Sequence, residues 1–375
     1  MITAGVAGRR RPRLTSFPAS AHSRVMSRMD IDVAAVEAAP VVRGTAVVQG
    51  SDAPGEAASV QLVAAREVPL GGPRGLLVRR TLPHRERRTV GAWCFADHFG
   101  PTPRGSGPGM HVPPHPHIGL QTVTWLLAGA VDHADGLGSA QAIHPGELNL
   151  MTAGRGIAHA EDSVDAAGLH GLQLWVALPD AQRQIDPQFA HHADLPAIEV
   201  GGARVVVFVG ALAGALSPAR VHSPLLGAEL RFAGGAQVPL EPDFEHAVIV
   251  VQGQARVEGV PVPVGTAAYL PPGRRALRLD SGAGPGAGPG AGPGAGPGAE
   301  PGDGRAVAVL LGGVPFTEPL LMWWNFVARD HDEIVSVRDD WQSGRRFAPV
   351  VGHAAAPLPA PELPNVRLSA RPSGG

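Results

Sequence analysis

His115 and His117 stand two residues apart in "HVPPHPHIGLQTVTW", a stretch that continues as alternating, strand-like sequence. Side chains at i and i+2 of a strand share a face, so both imidazoles aim the same way while Pro116 turns aside. Farther along, in "TAGRGIAHAEDS", His159 and Glu161 repeat the same spacing. Two strands that each give two ligand-type side chains to one face can surround a single cation. Three neutral imidazoles and one carboxylate form a mixed nitrogen–oxygen set suited to Fe(II), and also to Mn, Ni, Cu or Zn. Four protein ligands on an octahedral ion leave two positions for water, dioxygen or a chelating substrate. No thiolate joins the set, which argues against a closed structural zinc site.

The elements that must position these ligands are short. Gly154 and Gly156 supply the unusual backbone angles of a tight turn just before the His159 strand. Gln121 lies four residues after His117 and is expected on the same face, its amide in reach of an imidazole or a metal-bound water. Ile118, Leu120, Val123 and Trp125 are candidate pocket walls. His111 is read as a rim or loop residue, and His133 and His144 as solvated loop residues. His246, in "DFEHAVIVV", has no histidine at i+2 and no matching "HxE" elsewhere, so a second metal motif is not expected there. Cys94, in "AWCF", is read as a buried inert thiol.

Around the motifs the chain reads as two tandem series of β-like pieces. The first runs through "GLLVRRTL", "TVGAWCFADHF", "LQTVTWLLAG" and "GLQLWVALP"; the second through "ARVVVFVGAL", "AELRFAGGAQVPL", "HAVIVVQGQARVEG" and "RAVAVLLGG". Turn residues separate the pieces at short intervals, the pattern of an all-β sandwich or barrel rather than of βαβ units. The expected organisation is a disordered tail over residues 1–58, a metal-binding domain over 59–180 and a second β-domain over 181–314. A Gly/Pro-rich loop over 282–304 interrupts the latter. A strand and short helix follow over 315–345, the helix carrying Ile334, Val337 and Trp341 on one face behind an Asp330/Glu333 capping signal. Residues 346–375 are Pro/Ala-rich and expected to be disordered.

With 44% hydrophobic and 17% charged residues in 375, the bulk is globular. A net charge of −2 gives no electrostatic case for nucleic-acid binding, and one cysteine allows no internal disulfide. No apolar run reaches the roughly 18 residues of a membrane span, and the arginine cluster near the N-terminus has no apolar stretch behind it. The expected setting is soluble and cytoplasmic. Met26 or Met29 are alternative starts to Met1.

"GMHVPPHPHIGLQ" resembles the first cupin metal motif, with Gln121 where cupins usually place glutamate, and Gly156 with His159 resembles the second. The missing carboxylate reappears at Glu161, which is the pattern of the pirin family. "REVPLGGPRGLLVRRTLP", "GAWCFADHFGP", "MTAGRGIAHAE", "LQLWVALP" and "MWWNFVARDHDEI" also resemble pirin signatures, in order, over about residues 60–345. The resemblance implies an all-β fold of two tandem cupin, jelly-roll-like barrels with a short C-terminal helix. It also implies that His115, His117, His159 and Glu161 are iron ligands. Pirins often carry a basic residue and an aromatic where this chain has Ile118 and Leu120, and often glutamate at Gln121.

Similarity to certain pirins implies an iron-dependent dioxygenase acting on flavonols such as quercetin, with Glu161 as general base. The other reading is a non-catalytic, iron- or redox-responsive regulator that docks on a transcription or metabolic partner. A third is a metal-storing or vestigial bicupin. The four ligands serve either of the first two, and the less basic, more apolar surroundings at Ile118 and Leu120 favour the enzyme. A monomer is expected, with no membrane and no direct nucleic-acid partner.

Overall fold

Short apolar alternations broken by glycine and proline disfavour long helices, and the computed structural model of the chain is built almost entirely of strands. It describes residues 59–70, 76–102, 109–164, 168–282 and 305–372. The expected N-terminal tail and all but Gly282 of the expected Gly/Pro-rich loop lie outside the described residues.

The first half comprises β1 (Gln61–Val63), β2 (Arg66–Leu70), β3 (Leu76–Leu82), β4 (Trp93–Phe99), β5 (His111–His117) and β6 (Leu120–Ala128). It continues through β7 (Val131–Asp135), β8 (Ala140–Ile143), β9 (Leu148–Thr152), β10 (Ile157–Ser163), β11 (His170–Ala177) and β12 (Gln188–His192). A seven-stranded sheet of order β12-β9-β6-β11-β4-β3-β2 faces a four-stranded sheet of order β5-β10-β7-β8. The second half repeats the plan. Its seven-stranded sheet includes Leu225–Ala233, Glu245–Gln252, Ala267–Leu270 and Arg305–Gly313, and its four-stranded sheet includes Gly235–Pro239 and Ala276–Asp280. This is the tandem jelly-roll architecture expected from the sequence.

The two large sheets share one core. Trp93, Val123, Trp125, Leu148 and Leu172 from the first half pack with Phe208, Ile249, Val309 and Leu311 from the second, all buried. Two indoles in this layer donate across it: Trp93 Nε1 donates to the Leu226 and Gly312 carbonyls at 3.1 and 3.3 Å, and Trp125 Nε1 to Glu229 at 2.9 Å.

The expected boundaries shift. β1 pairs with Ala267–Leu270 in the second half's sheet, although it precedes the first half in the chain. β12 extends the first half's sheet to residue 192, past the boundary expected at 180, because Gln188–His192 pairs along β9. The strand expected through "WWNFV" is instead a hairpin, Leu321–Trp323 with Phe326–Ala328, turned at Trp324, whose φ is 51°. Helix α1 (His331–Gln342) follows as expected, with Asp330 accepting from Glu333 N and Ile334 and Val337 buried. Glu333 returns its carboxylate to Arg329 N rather than to the N-cap, so the box closes one residue early.

The disorder expected beyond 346 is also overturned for residues 346–372. Phe347 is buried against Phe326 and Trp341. Trp341 Nε1 donates to Leu358 O and Arg338 Nε to Pro361 O, while Leu358 N donates to Pro114 O beside the first histidine motif. A Pro/Ala-rich segment shows no periodicity, yet its carbonyls are acceptors that α1 side chains can hold in place.

Several buried histidines lie outside the motifs. His98 and His170 meet Nε2 to Nε2 at 2.9 Å, and His170 also bonds the Val251 backbone of the second half. Burial holds His98 down to about 3, and His170 and His246 down to about 4, against an ordinary value of 6.5. The unfolded chain therefore binds more protons than the folded one below about pH 6.5, and stability falls as the pH drops through the window toward 4. Unfolding free energies from urea titrations between pH 7 and 4.5 are expected to decline with a slope approaching about 1.4 kcal/mol per pH unit for each histidine engaged. A flat free energy across that window would contradict the buried, neutral assignment.

Candidate metal centre

All the candidate ligands sit on the inner face of the four-stranded sheet. β5 and β10 are antiparallel with His115 opposite His159, and β10 and β7 place His159 opposite Asp135 and Glu161 opposite His133. The i, i+2 spacing thus works on three neighbouring strands at once: His115 and His117, His159 and Glu161, His133 and Asp135. Every one of these side chains is buried.

The ligand atoms of His115, His117 and His159 lie within 4.8 Å of one another. His117 Nε2 stands 3.1 Å from His159 Nε2, and the His115 and His159 ring centroids are 4.4 Å apart. His115 Nδ1 is 2.9 Å from Pro113 O, and His117 Nδ1 is 3.0 Å from Asn325 O. A carbonyl can only accept, so both Nδ1 atoms carry the protons and both Nε2 atoms present lone pairs. Burial of the imidazoles holds His115 down to about 4 and His117 and His159 well below the ordinary value, so all three are neutral at pH 7. Converging neutral lone pairs, with the far nitrogens tied to backbone, make a donor set that fits a divalent cation.

Glu161 stands two residues along β10 from His159. Its carboxylate groups within 4.8 Å with His133 and His159 rather than with the first trio, and Oε1 lies 3.1 Å from the Thr124 hydroxyl. Burial raises its pKa above the ordinary value, opposed by His133 and by the Thr124 hydrogen bond.

Turns hold the ligand strands. Gly154, at φ 51°, could not carry a Cβ, which would fall 2.0 Å from Ile185 O; its own carbonyl accepts from Gly119 N at 2.9 Å and so ties the two motifs together. Gly156 lies under Phe347, which brings the C-terminal segment onto the turn before His159. Gly119, at φ 68°, passes against Val327 O, and the Trp324 turn of the C-terminal hairpin delivers the Asn325 carbonyl that His117 uses.

Other expected neighbours are placed differently. Gln121 faces away: its Nε2 donates to Thr152 Oγ1 at 2.9 Å and Arg220 O at 3.0 Å, toward the second half. The chain changes sheets between His117 on β5 and Leu120 on β6, so counting four along one strand does not hold. Ile118 packs with Phe326 and the hairpin, and Val123 and Trp125 enter the core between the halves. Leu120 alone of the four proposed walls joins Phe95, Met151, Ile157 and Trp175, the cluster next to His117.

His133 is not a solvated loop residue. It is buried on β7, stacked on Phe189 with centroids 4.4 Å apart, and belongs to the site. Its signal was the His133/Asp135 spacing itself. His144 is exposed beside Glu147 as expected, and Cys94 is buried with its thiol pushed up to about 12. His111 begins β5 on the outer face, where Asp162 takes hydrogen bonds from it and from His353. Each imidazole has its own carboxylate oxygen.

The sequence profile of the Pirin family matches residues 75–176, and that of the pirin C-terminal cupin domain matches residues 299–348. The chain is 43% identical over 309 residues to a Pseudomonas aeruginosa protein named "Putative quercetin 2,3-dioxygenase PA1205", spanning 81% of this chain and 91% of that one. The chain belongs to the pirin family. A pirin-like protein of Caulobacter vibrioides is 34% identical over 76% of this pirin and 94% of its own length. Among solved structures, a quercetin 2,3-dioxygenase from Acinetobacter baumannii superposes with a TM-score of 0.73 at 38% identity, covering 83% of this pirin and 98% of that chain. Among the described residues, no helix of this pirin is long and apolar enough to cross a membrane.

Proposed function

We propose that this pirin is an iron-dependent dioxygenase of flavonols, of the quercetin 2,3-dioxygenase type, with His115, His117, His159 and Glu161 as metal ligands. The observation that carries the reading is the buried trio of imidazoles with converging Nε2 atoms and a buried carboxylate two residues along β10. Similarity to proteins named for that activity supports it.

Bound Fe(II) would supply Lewis acidity toward an oxygen ligand and the one-electron chemistry that reaction with dioxygen requires. The chain's own residues do the rest. Glu161 acts as general base, receiving the 3-hydroxyl proton of the flavonol on its carboxylate. Its burial favours the protonated form, so the proton is held once taken. Thr124 fixes the carboxylate's orientation from the facing sheet. Trp175, stacked on Phe95 at 4.0 Å and edge-on to His117 at 5.1 Å, forms with Leu120 and Met151 a flat apolar wall for aromatic rings.

The test is oxygen consumption by the anaerobically purified, Fe(II)-loaded protein on adding quercetin, followed together with loss of flavonol absorbance. Turnover that disappears in both Glu161→Gln and His115→Ala is expected. Stoichiometric iron without turnover would rule out quercetin and favour the iron-responsive regulator. Failure to bind iron would overturn the ligand set itself.

A further inference from the structure

His133 and Asp135 have no part in the ligand set, yet they occupy the same inner face one strand over from His159. Asp135 is fully buried and heavily bonded. Its Oδ1 accepts from Leu137 N at 2.8 Å and Ser139 N at 3.0 Å, and its Oδ2 lies 3.1 Å from His133 Nε2. These bonds favour the carboxylate and, although burial opposes them, leave its pKa below the ordinary value. His133 in turn places Nδ1 3.4 Å from His159 Nδ1, and its ring is clamped by Phe189.

We propose that His133 and Asp135 are positioning residues that set the tautomer of His159 through a relay of hydrogen bonds. The inference rests on the metal-centre reading of His159. Each bond dictates the next. A carboxylate can only accept, so His133 carries its proton on Nε2 and offers a lone pair at Nδ1. That lone pair accepts a hydrogen bond from His159 Nδ1–H, which leaves His159 Nε2 bare and facing His117 Nε2. His115 and His117 reach the same state through the Pro113 and Asn325 carbonyls. His159, which among the described residues has no backbone carbonyl at Nδ1, uses a buried carboxylate acting through an imidazole.

Two variants separate this role from packing. Asp135→Asn keeps the oxygen that receives Leu137 and Ser139 but sets an NH2 against His133 Nε2. His133 must then carry its proton on Nδ1, aimed at His159, and His159 must move its own proton to Nε2, where the metal would bind. His133→Phe keeps the ring volume and the Phe189 stack but removes the acceptor.

Affinity for Zn(II), read by chelator competition, is expected to fall about 10–100-fold in both variants, more in Asp135→Asn, with thermal midpoints confirming folded protein. In the Zn(II)-loaded wild type, histidine 15N NMR should show a hydrogen-bonded His159 Nδ1–H that both variants lose. Affinities within twofold of wild type would overturn the relay and leave the metal centre standing. So would a fall in affinity with the His159 resonance unmoved, because the loss would then be structural. A wild type that binds no Zn(II) would overturn the metal centre and the relay together.

Discussion

Replacing His159 by alanine is expected to lower divalent metal affinity by a factor on the order of 10²–10³, the largest effect of any single ligand. A tetradentate site worth about 10–16 kcal/mol gives each ligand roughly 2.5–4 kcal/mol, and each 1.4 kcal/mol is tenfold. His159 is expected at the upper end of that range for a geometric reason. It is the one residue common to both groups of converging ligand atoms, the trio with His115 and His117 and the group with His133 and Glu161. Without it, two imidazoles on β5 face a carboxylate on β10 across a gap. Chelator competition with Ni(II) or Co(II), wild type against variant, measures the loss. A decrease smaller than tenfold would show that the ion is held without this residue.

Trp93→Ala is expected to destabilise the whole chain by about 3–5 kcal/mol, as large aromatic-to-alanine changes in cores do. Trp93 is completely buried between the halves, and removing it opens a void against Phe208, whose ring is 6.5 Å away and edge-on. It also deprives the Leu226 and Gly312 carbonyls of a shared donor. The thermal midpoint should fall by roughly 10 °C, at about 2–4 °C per kcal/mol for a unit of this size. Because the damaged core belongs to both sheets, calorimetry should show one lowered transition. Two separated transitions with one unchanged would mean that the halves do not share their stability.

Much of the site was legible because period-two spacing is strict in a strand: "HPH" and "HAE" each had to put two ligands on one face. The same rule applied to "VDHAD", where Val131, His133 and Asp135 all turn inward. There the inward residues are mostly polar and mimic a loop. Gln121 escapes the rule for the opposite reason: the face count does not carry across the Gly119 turn, where the chain leaves one sheet for the other. The tandem fold followed from repeated strand-and-turn composition. The order in residues 346–372 left no such trace, because it depends on where α1 places Trp341 and Arg338 in space.

The placement of β1 has a consequence for the chain as it leaves the ribosome. Gln61–Val63 emerges among the earliest of the described residues, but its partner, Ala267–Leu270, is synthesised about 200 residues later. At about 5–20 residues per second, β1 waits roughly 10–40 s before it can dock. Until then β1 has no strand to pair with, and an unpaired strand is a template for pairing between nascent chains. Docking β1 then gives Ala267–Leu270 its second neighbour and ties the start of the described chain to the second half's sheet.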